Sequence, residues 1–405
     1  MIEVNKIRQD FPMLQQKVYG KPLIYLDNAA TTQKPLIVID TISEFYKTMN
    51  SNIHRGVHYF ADRATIAYEA ARKTVQEYIH APHLHEIIFT RGTTDSINLL
   101  AFSFGEAFVR KGDEIIISAF EHHSNIVPWQ MLCLRKEAKL VVIPFNENQE
   151  LELSILKQKI NEKTRIIAIT HISNSLGTVN PVKEIIQIAH AANVPVLIDG
   201  AQSAQHVPIN VQDLDCDFFA FSGHKTYGPN GIGILFGKEK WLEKMPPYQG
   251  GGDMIADVTF EKTTYNELPL KFEAGTPDYV EAVGLSKALN YISEIGIENI
   301  ALYETELHKY AYHKLKQIEG FVSYGNAKEC ASIISFLIDG IHSFDIGMTL
   351  DKMGIATRTG THCTQPVMDY FKIKGTVRAS LSFYNTYEEI EALYEGLLRI
   401  RKMFL

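Results

Sequence analysis

The sequence predicts an α/β protein, with a mainly parallel sheet in a large domain followed by a smaller α/β C-terminal domain. Three observations lead there. From about Tyr25 to Phe236, short apolar runs alternate with stretches carrying apolar residues at three- and four-residue spacing, the pattern of repeated strand and helix units. The runs are apolar throughout rather than at every second position, which suits strands covered on both faces. With 405 residues, 45% of them apolar and 21% charged, the chain is long enough for one large core and a second, smaller one.

The predicted strands are Ile87 to Thr90, Glu114 to Ser118, Leu140 to Pro144, Ile166 to Thr170, Val194 to Ile198, Phe218 to Phe221 and Ile232 to Phe236. Helical spacing marks Tyr68 to Ile79, Ile126 to Lys139 and Val182 to Ala192 between them. Tyr248 to Asp253 reads as a flexible glycine-rich turn, and the segment through Ala274-Gly275-Thr276-Pro277 as irregular or hairpin structure. A long helical pattern from Tyr279 to about Ile318, broken near Gly296, then leads to a strand over Ala331 to Ile338. Thr386 and Glu389 stand at capping-box spacing ahead of the amphipathic run Ile390 to Phe404, so the chain ends in a packed helix. The division is 18–278 for the large domain and 279–405 for the small one, with residues 1–17 packing on the latter.

Composition narrows the partners. A formal charge of −7 gives no basic footprint for nucleic acid or for an anionic membrane surface. The first ten residues carry charges where a signal peptide needs an apolar centre, and no later run is long enough to span a bilayer, so a cytoplasmic protein is expected. Cys133, Cys216, Cys330 and Cys363 are far apart and form no zinc-like or disulfide pattern, so no metal is expected.

Chemistry gathers where strands end. Asp217 to Gly231 joins the aromatic strand Phe218 to Phe221 to a loop, Ser222-Gly223-His224-Lys225, rich in glycine and proline. Arg91-Gly92-Thr93-Thr94-Asp95-Ser96 opens a helix after another strand, and serves either as a plain N-cap or as a phosphate-receiving turn. Glu121-His122-His123 and His171-Ile172-Ser173-Asn174 follow two more strands. Asp199 ends the apolar strand Val194 to Ile198, a costly place for a carboxylate unless a cation or donor meets it. A lysine, a buried aspartate and a phosphate-receiving turn on neighbouring strand ends meet the needs of pyridoxal 5'-phosphate. Its aldehyde takes a lysine amine, its ring nitrogen a carboxylate, and its phosphate the turn, with Ser222 and His224 as further donors and His122 stacked on the ring.

These residues resemble the SufS-type (group II) cysteine desulfurases, within the aspartate-aminotransferase-like fold (fold type I) of pyridoxal-phosphate enzymes. The marks run along nearly the whole chain: Tyr25-Leu26-Asp27-Asn28-Ala29-Ala30, His54-Arg55-Gly56-Val57-His58, Arg91-Gly92-Thr93-Thr94, Glu121-His122-His123, Asp199-Gly200-Ala201-Gln202, Ser222-Gly223-His224-Lys225, Glu273-Ala274-Gly275-Thr276-Pro277, Arg358-Thr359-Gly360-Thr361-His362-Cys363 and Arg378-Ala379-Ser380-Leu381. The resemblance implies Lys225 as the Schiff-base lysine, Asp199 as the pyridinium partner, His122 as the stacked acid-base group and Gln202 as a contact to the ring hydroxyl. It implies Thr94, Ser222 and His224 at the phosphate, joined by Thr276 from the other subunit of a homodimer. Asn174 and Arg378 would orient the substrate, and His54, Arg55 and Arg358 are further substrate-binding candidates.

Cys363 separates this reading from a generic aminotransferase. It follows glycine and histidine in a polar loop between two predicted strands, with basic residues nearby in sequence, a setting that keeps a thiol accessible. By resemblance it attacks the sulfur of L-cysteine, and its persulfide passes to an acceptor protein of the SufE or SufU type for iron-sulfur cluster assembly. Its short loop resembles the SufS-like group more than the IscS-like one, whose cysteine lies on a longer mobile segment. Thr361 departs from the histidine or glutamine frequent in relatives, and Asp278-Tyr279 departs after the Gly-Thr-Pro motif. The alternatives are a selenocysteine lyase acting on L-selenocysteine, an aminotransferase, and, from a different class, a non-catalytic sulfur carrier or assembly scaffold.

Overall fold

A computed structural model describes residues 2–405. Seven strands, numbered in chain order, form the principal sheet: β1 (Ile87–Thr90), β2 (Glu114–Ser118), β3 (Lys139–Ile143), β4 (Thr164–Thr170), β5 (Val196–Asp199), β6 (Phe218–Ser222) and β7 (Gly233–Gly237). Their spatial order is β1-β7-β6-β5-β4-β2-β3. All neighbours pair in parallel except β7, which runs antiparallel to both β6 and β1. The connection from β6 to β7 contains no crossover helix, so the chain turns straight back, and a parallel pairing would need a longer excursion. Lys225 lies in that turn.

Both faces of the sheet are covered. Ile116, Ile167, Ile198 and Phe219 point to one core, and Ile115, Ile166, Leu197 and Phe218 to the other, which accounts for the unbroken apolar runs. Gly233 marks a close approach: a Cβ there would lie 2.3 Å from the Cα of Gly92. Thus β7 passes tightly beneath the turn that opens the helix Thr93–Phe108.

The helical pattern after residue 278 forms two helices, Tyr279–Ile295 and Ile297–Leu315, parted at Gly296 with φ +89°. Asp278, one of the two departures noted above, caps the first by accepting from the Glu281 amide at 3.3 Å. A second, antiparallel sheet follows, built from β8 (Phe321–Tyr324), β9 (Ile333–Ile338), β10 (Arg358–Gly360) and β11 (Thr376–Ser380) in the order β8-β9-β11-β10. The last helix, Tyr387–Phe404, carries the Thr386–Glu389 capping box. Residues near the N-terminus pack on both sheets' surroundings. Arg8 pairs with Glu389 at 2.8 Å, and Phe11 stacks edge-on to Tyr227, Tyr291 and Phe383.

Residues 274–277 are irregular, one of the two forms expected, and a hairpin lies earlier, at Ile255–Val258 and Thr263–Tyr265. One local expectation changes. The Cys363 loop connects a strand to a helix rather than to a strand, because Pro366 opens the short helix Gln365–Phe371 ahead of β11.

Candidate active site

The carboxyl ends of β2, β4, β5 and β6 open into one cleft of about 760 Å³ including its mouth, room for a ring-sized cofactor and a small substrate. It is lined by Thr94, His122, Asn174, Asp199, Gln202, Ser222, His224, Lys225, Arg358, Cys363 and Arg378, residues drawn from both sheets. The remaining predicted site residues lie elsewhere. Thr276 borders a neighbouring pocket with Arg91, Asp95 and Tyr248. His54 faces Glu69 at 3.4 Å, and Arg55 pairs with Asp253 at 2.8 Å, so local carboxylates hold both outside the cleft of their own chain.

At one end of the cleft stands the N-terminus of Thr93–Phe108. Its N-cap is Gly92, which offers no side chain to the first amides; the serine and threonine hydroxyls that suggested a plain cap are used otherwise. Thr93 Oγ1 and the Thr93 amide both lie 2.8 Å from Ser222 Oγ. Hydroxyls, half-exposed His224 and a helix N-terminus whose N-cap glycine carries no capping side chain thus converge where a dianion gains most.

Asp199 is buried and accepts from the Ala201 amide at 2.9 Å. Burial raises its pKa, opposed by that hydrogen bond and by the charge of Lys225. A buried carboxylate with so little compensation suits a protonated ring nitrogen. Lys225 is shielded from bulk water although its surface opens on the cleft; burial lowers its pKa to about 8 and Asp199 holds it from falling further. It therefore carries a usable neutral amine near neutral pH. His122 accepts from the Ser124 amide on Nδ1 at 3.1 Å, which places the ring proton on Nε2. Burial and the nearby Lys225 lower its pKa to about 3, so it is a neutral donor. Gln202 gives its amide to the Ala29 carbonyl at 2.7 Å. Donor set, buried carboxylate and lysine together fit pyridoxal phosphate.

Across the cleft, Asn174 Nδ2 donates to the His362 carbonyl at 2.7 Å and the His123 amide donates to the Cys363 carbonyl at 2.9 Å. His362 and Cys363 are both left-handed, with φ +54° and +58°, a backbone that such anchors must hold in place. Cys363 is exposed, whereas Cys133 and Cys216 are buried and Cys330 is half-buried, and burial raises the pKa of all three.

Some contributors escaped the sequence reading. Lys34 donates from Nζ to the carbonyl of His224 at 2.9 Å and to that of Thr32, pinning the loop beside Lys225. Buried Glu121 accepts from the Thr170 amide at 3.0 Å and from Asn125 at 2.6 Å, tying the ends of β2 and β4 together, and burial raises its pKa to about 8. His362 meets Thr376 Oγ1 at 2.9 Å. Asp27 pairs with Arg378 at 3.1 Å. Glu121, Asp27 and His362 all stand inside quoted motifs, which was the only signal available for them.

The profile of the Aminotransferase class-V family matches residues 24–393. A cysteine desulfurase of Synechococcus elongatus is 48% identical over 399 residues, 98% of this chain; the chain spans only 64% of that protein's length. A probable cysteine desulfurase of Halalkalibacterium halodurans is 48% identical over 100% of this chain and 99% of its own. Among solved structures, the Escherichia coli cysteine desulfurase CsdA, in an S-sulfonic acid form, superposes with a TM-score of 0.93 at 38% identity, covering 100% of both chains. The described fold, a seven-stranded mixed sheet flanked by helices, is that of its structural neighbours. No helix among the described residues is long and apolar enough to cross a membrane.

Proposed function

The chain belongs to the class-V aminotransferase family, and on that premise we propose that it is a cysteine desulfurase, moving the sulfur of L-cysteine onto Cys363 and releasing L-alanine. Its cofactor is pyridoxal 5'-phosphate. That group, when bound, supplies an aldehyde that condenses with amines and a ring that accepts the electron pair freed at a substrate α-carbon.

The chain's own residues divide the remaining work. Thr94, Ser222, His224 and the helix N-terminus at Gly92 would hold the phosphate, and Thr276 of a second subunit would complete that site in a homodimer. Asp199 would hold the protonated ring nitrogen, Gln202 would contact the ring hydroxyl, and His122, with its proton on Nε2, would serve as the stacked acid-base group. Lys225, with its pKa lowered, would hold the cofactor's aldehyde and would also be the amine placed to accept a proton from the substrate α-carbon. Arg378 and Asn174 orient the substrate, with Arg358 at the mouth and His54 and Arg55 serving from a neighbouring subunit. The Cys363 thiolate attacks the substrate sulfur. A sulfur–sulfur bond forms as the substrate Cβ–S bond breaks, its electron pair leaves with the carbon fragment, and protonation of that fragment gives alanine.

The observation that carries this reading is the placing of an exposed cysteine in the same cleft as Lys225 and Asp199. Its short, anchored loop supports the SufS-type reading, with a SufE- or SufU-type acceptor reaching inward for the sulfur destined for iron-sulfur clusters. The test is mass mapping after brief exposure to L-cysteine without reductant. One extra sulfur atom on Cys363 and alanine in solution are expected; an unmodified Cys363 in protein carrying its cofactor would exclude the reading and direct attention to selenocysteine.

Loading should also depend on pH. Only the neutral amine of Lys225 adds to an aldehyde, and its pKa is lowered to about 8. The rate at which cofactor-free protein gains visible absorption should therefore climb roughly tenfold per pH unit below that value and level off above it. A rate still climbing steadily towards pH 10 would place the lysine in water rather than in the cleft.

A further inference from the structure

We propose that Asp27 is a positioning residue that binds Arg358 and Arg378 into a single receptor for the substrate's α-carboxylate. The inference deepens the desulfurase reading and rests on it. In the antiparallel pair β10 and β11, Arg358 stands directly opposite Arg378. Two like charges facing across a strand pair repel one another. Asp27 bridges them: Oδ1 lies 3.1 Å from Arg378 Nη2, and Oδ2 lies 3.9 Å from Arg358 Nη1.

The carboxylate is fixed in place by its backbone. The Ser380 amide donates to the Leu26 carbonyl at 2.8 Å, and Asn28 Nδ2 donates to the Ser380 carbonyl at 2.7 Å, so the residues on either side of Asp27 are stitched to the end of β11. The two arginines differ in freedom. Arg378 is 2% exposed and gives Nη1 to the Asn174 carbonyl at 2.9 Å, while its Nε is buried without a partner. The Arg358 side chain is 45% exposed and reaches Asp27 only at the longer distance.

The charges complete the argument. Two guanidinium groups against one carboxylate leave a single positive charge at the cleft wall, which one α-carboxylate neutralises. Arg378 supplies an unused buried donor and Arg358 an exposed one, and Asp27 sets the spacing between them without needing to touch the substrate. Without Asp27 the two arginines separate, and the amino-acid carboxylate loses its two-sided seat.

The experiment compares two amines that both carry a thiol, L-cysteine and cysteamine, the second lacking the carboxylate. Each is mixed rapidly with the cofactor-loaded parent, Asp27→Asn and Asp27→Glu proteins, and the concentration giving half of the early change in cofactor absorption is recorded. For Asp27→Asn the value for L-cysteine should rise about tenfold while that for cysteamine stays within about twofold of the parent. Asp27→Glu, which keeps the charge, should recover part of the loss. An equal shift for both amines, or no shift for L-cysteine, overturns the proposal and leaves the desulfurase reading standing. A parent protein whose absorption responds to neither amine overturns both.

Discussion

Replacing Lys225 with alanine should reduce alanine formation from L-cysteine by about four orders of magnitude or more, the joint loss of a covalent anchor and of a placed proton acceptor. No neighbour can substitute. Lys34, a half-buried lysine of this region whose pKa burial lowers to about 7, has its Nζ tied to the carbonyls of Thr32 and His224. Asp199 is occupied at one oxygen by the Ala201 amide, and His122 presents a proton rather than a lone pair to the cleft. The substitution should not cost stability. Burial already lowers the Lys225 pKa, so removing that amine from cofactor-free protein relieves desolvation, and the thermal midpoint should hold or rise. Single-turnover assays and a melting curve measure the two effects together. A residual rate within tenfold of the parent would sink the assignment, and a collapsed melting curve would make the rate uninterpretable as chemistry.

Cys363→Ala should separate the cofactor from the sulfur chemistry. The variant should keep the visible absorption of the loaded parent, because none of the phosphate donors, Asp199 or Lys225 hydrogen-bonds the loop 361–364. Its persulfide yield from L-cysteine should fall by roughly 10²-fold or more, the scale set by losing an intramolecular nucleophile. The measurement is the mass of the tryptic peptide spanning position 363 together with released alanine. Desulfuration of L-cysteine at the parent rate would assign the attack to another group. The other cysteines make poor replacements, since burial raises the pKa of each and none lines the cleft.

Local pattern makes much of this structure legible in the sequence itself. An apolar strand that ends in Asp199, or in Ser222 ahead of Lys225, announces both the strand and the residue delivered at its end, because burial and polarity change abruptly at one position. Gly296 and the Thr386–Glu389 pair likewise mark helix boundaries through chemistry confined to one turn. The antiparallel direction of β7 was not visible, since an apolar run of five residues reads the same in either direction. Nor was the pairing of Asp27 with Arg378, which joins residues 351 positions apart and depends on the register that sets Arg358 against Arg378. His54 and Arg55 sit in a motif typical of the family, yet Glu69 and Asp253 hold them away from their own chain's cleft, a matter of folding geometry rather than of spacing. The class assignment needed only the local signals; the order of residues around the cleft needed the fold.

The turn between β6 and β7 has a bearing on how the site comes into being. Lys225 belongs to a connection between adjacent, consecutive strands, and contacts of that kind close early because little chain entropy is lost in bringing their ends together. During synthesis the seven-stranded sheet has all its strands once Gly237 has emerged. Asp27, made before that sheet, must wait for Arg378, made after it. In chain order, Thr94, His122, Asp199, Ser222 and Lys225 thus precede Arg358, Cys363 and Arg378, which join the same cleft from the second sheet and its neighbouring loop.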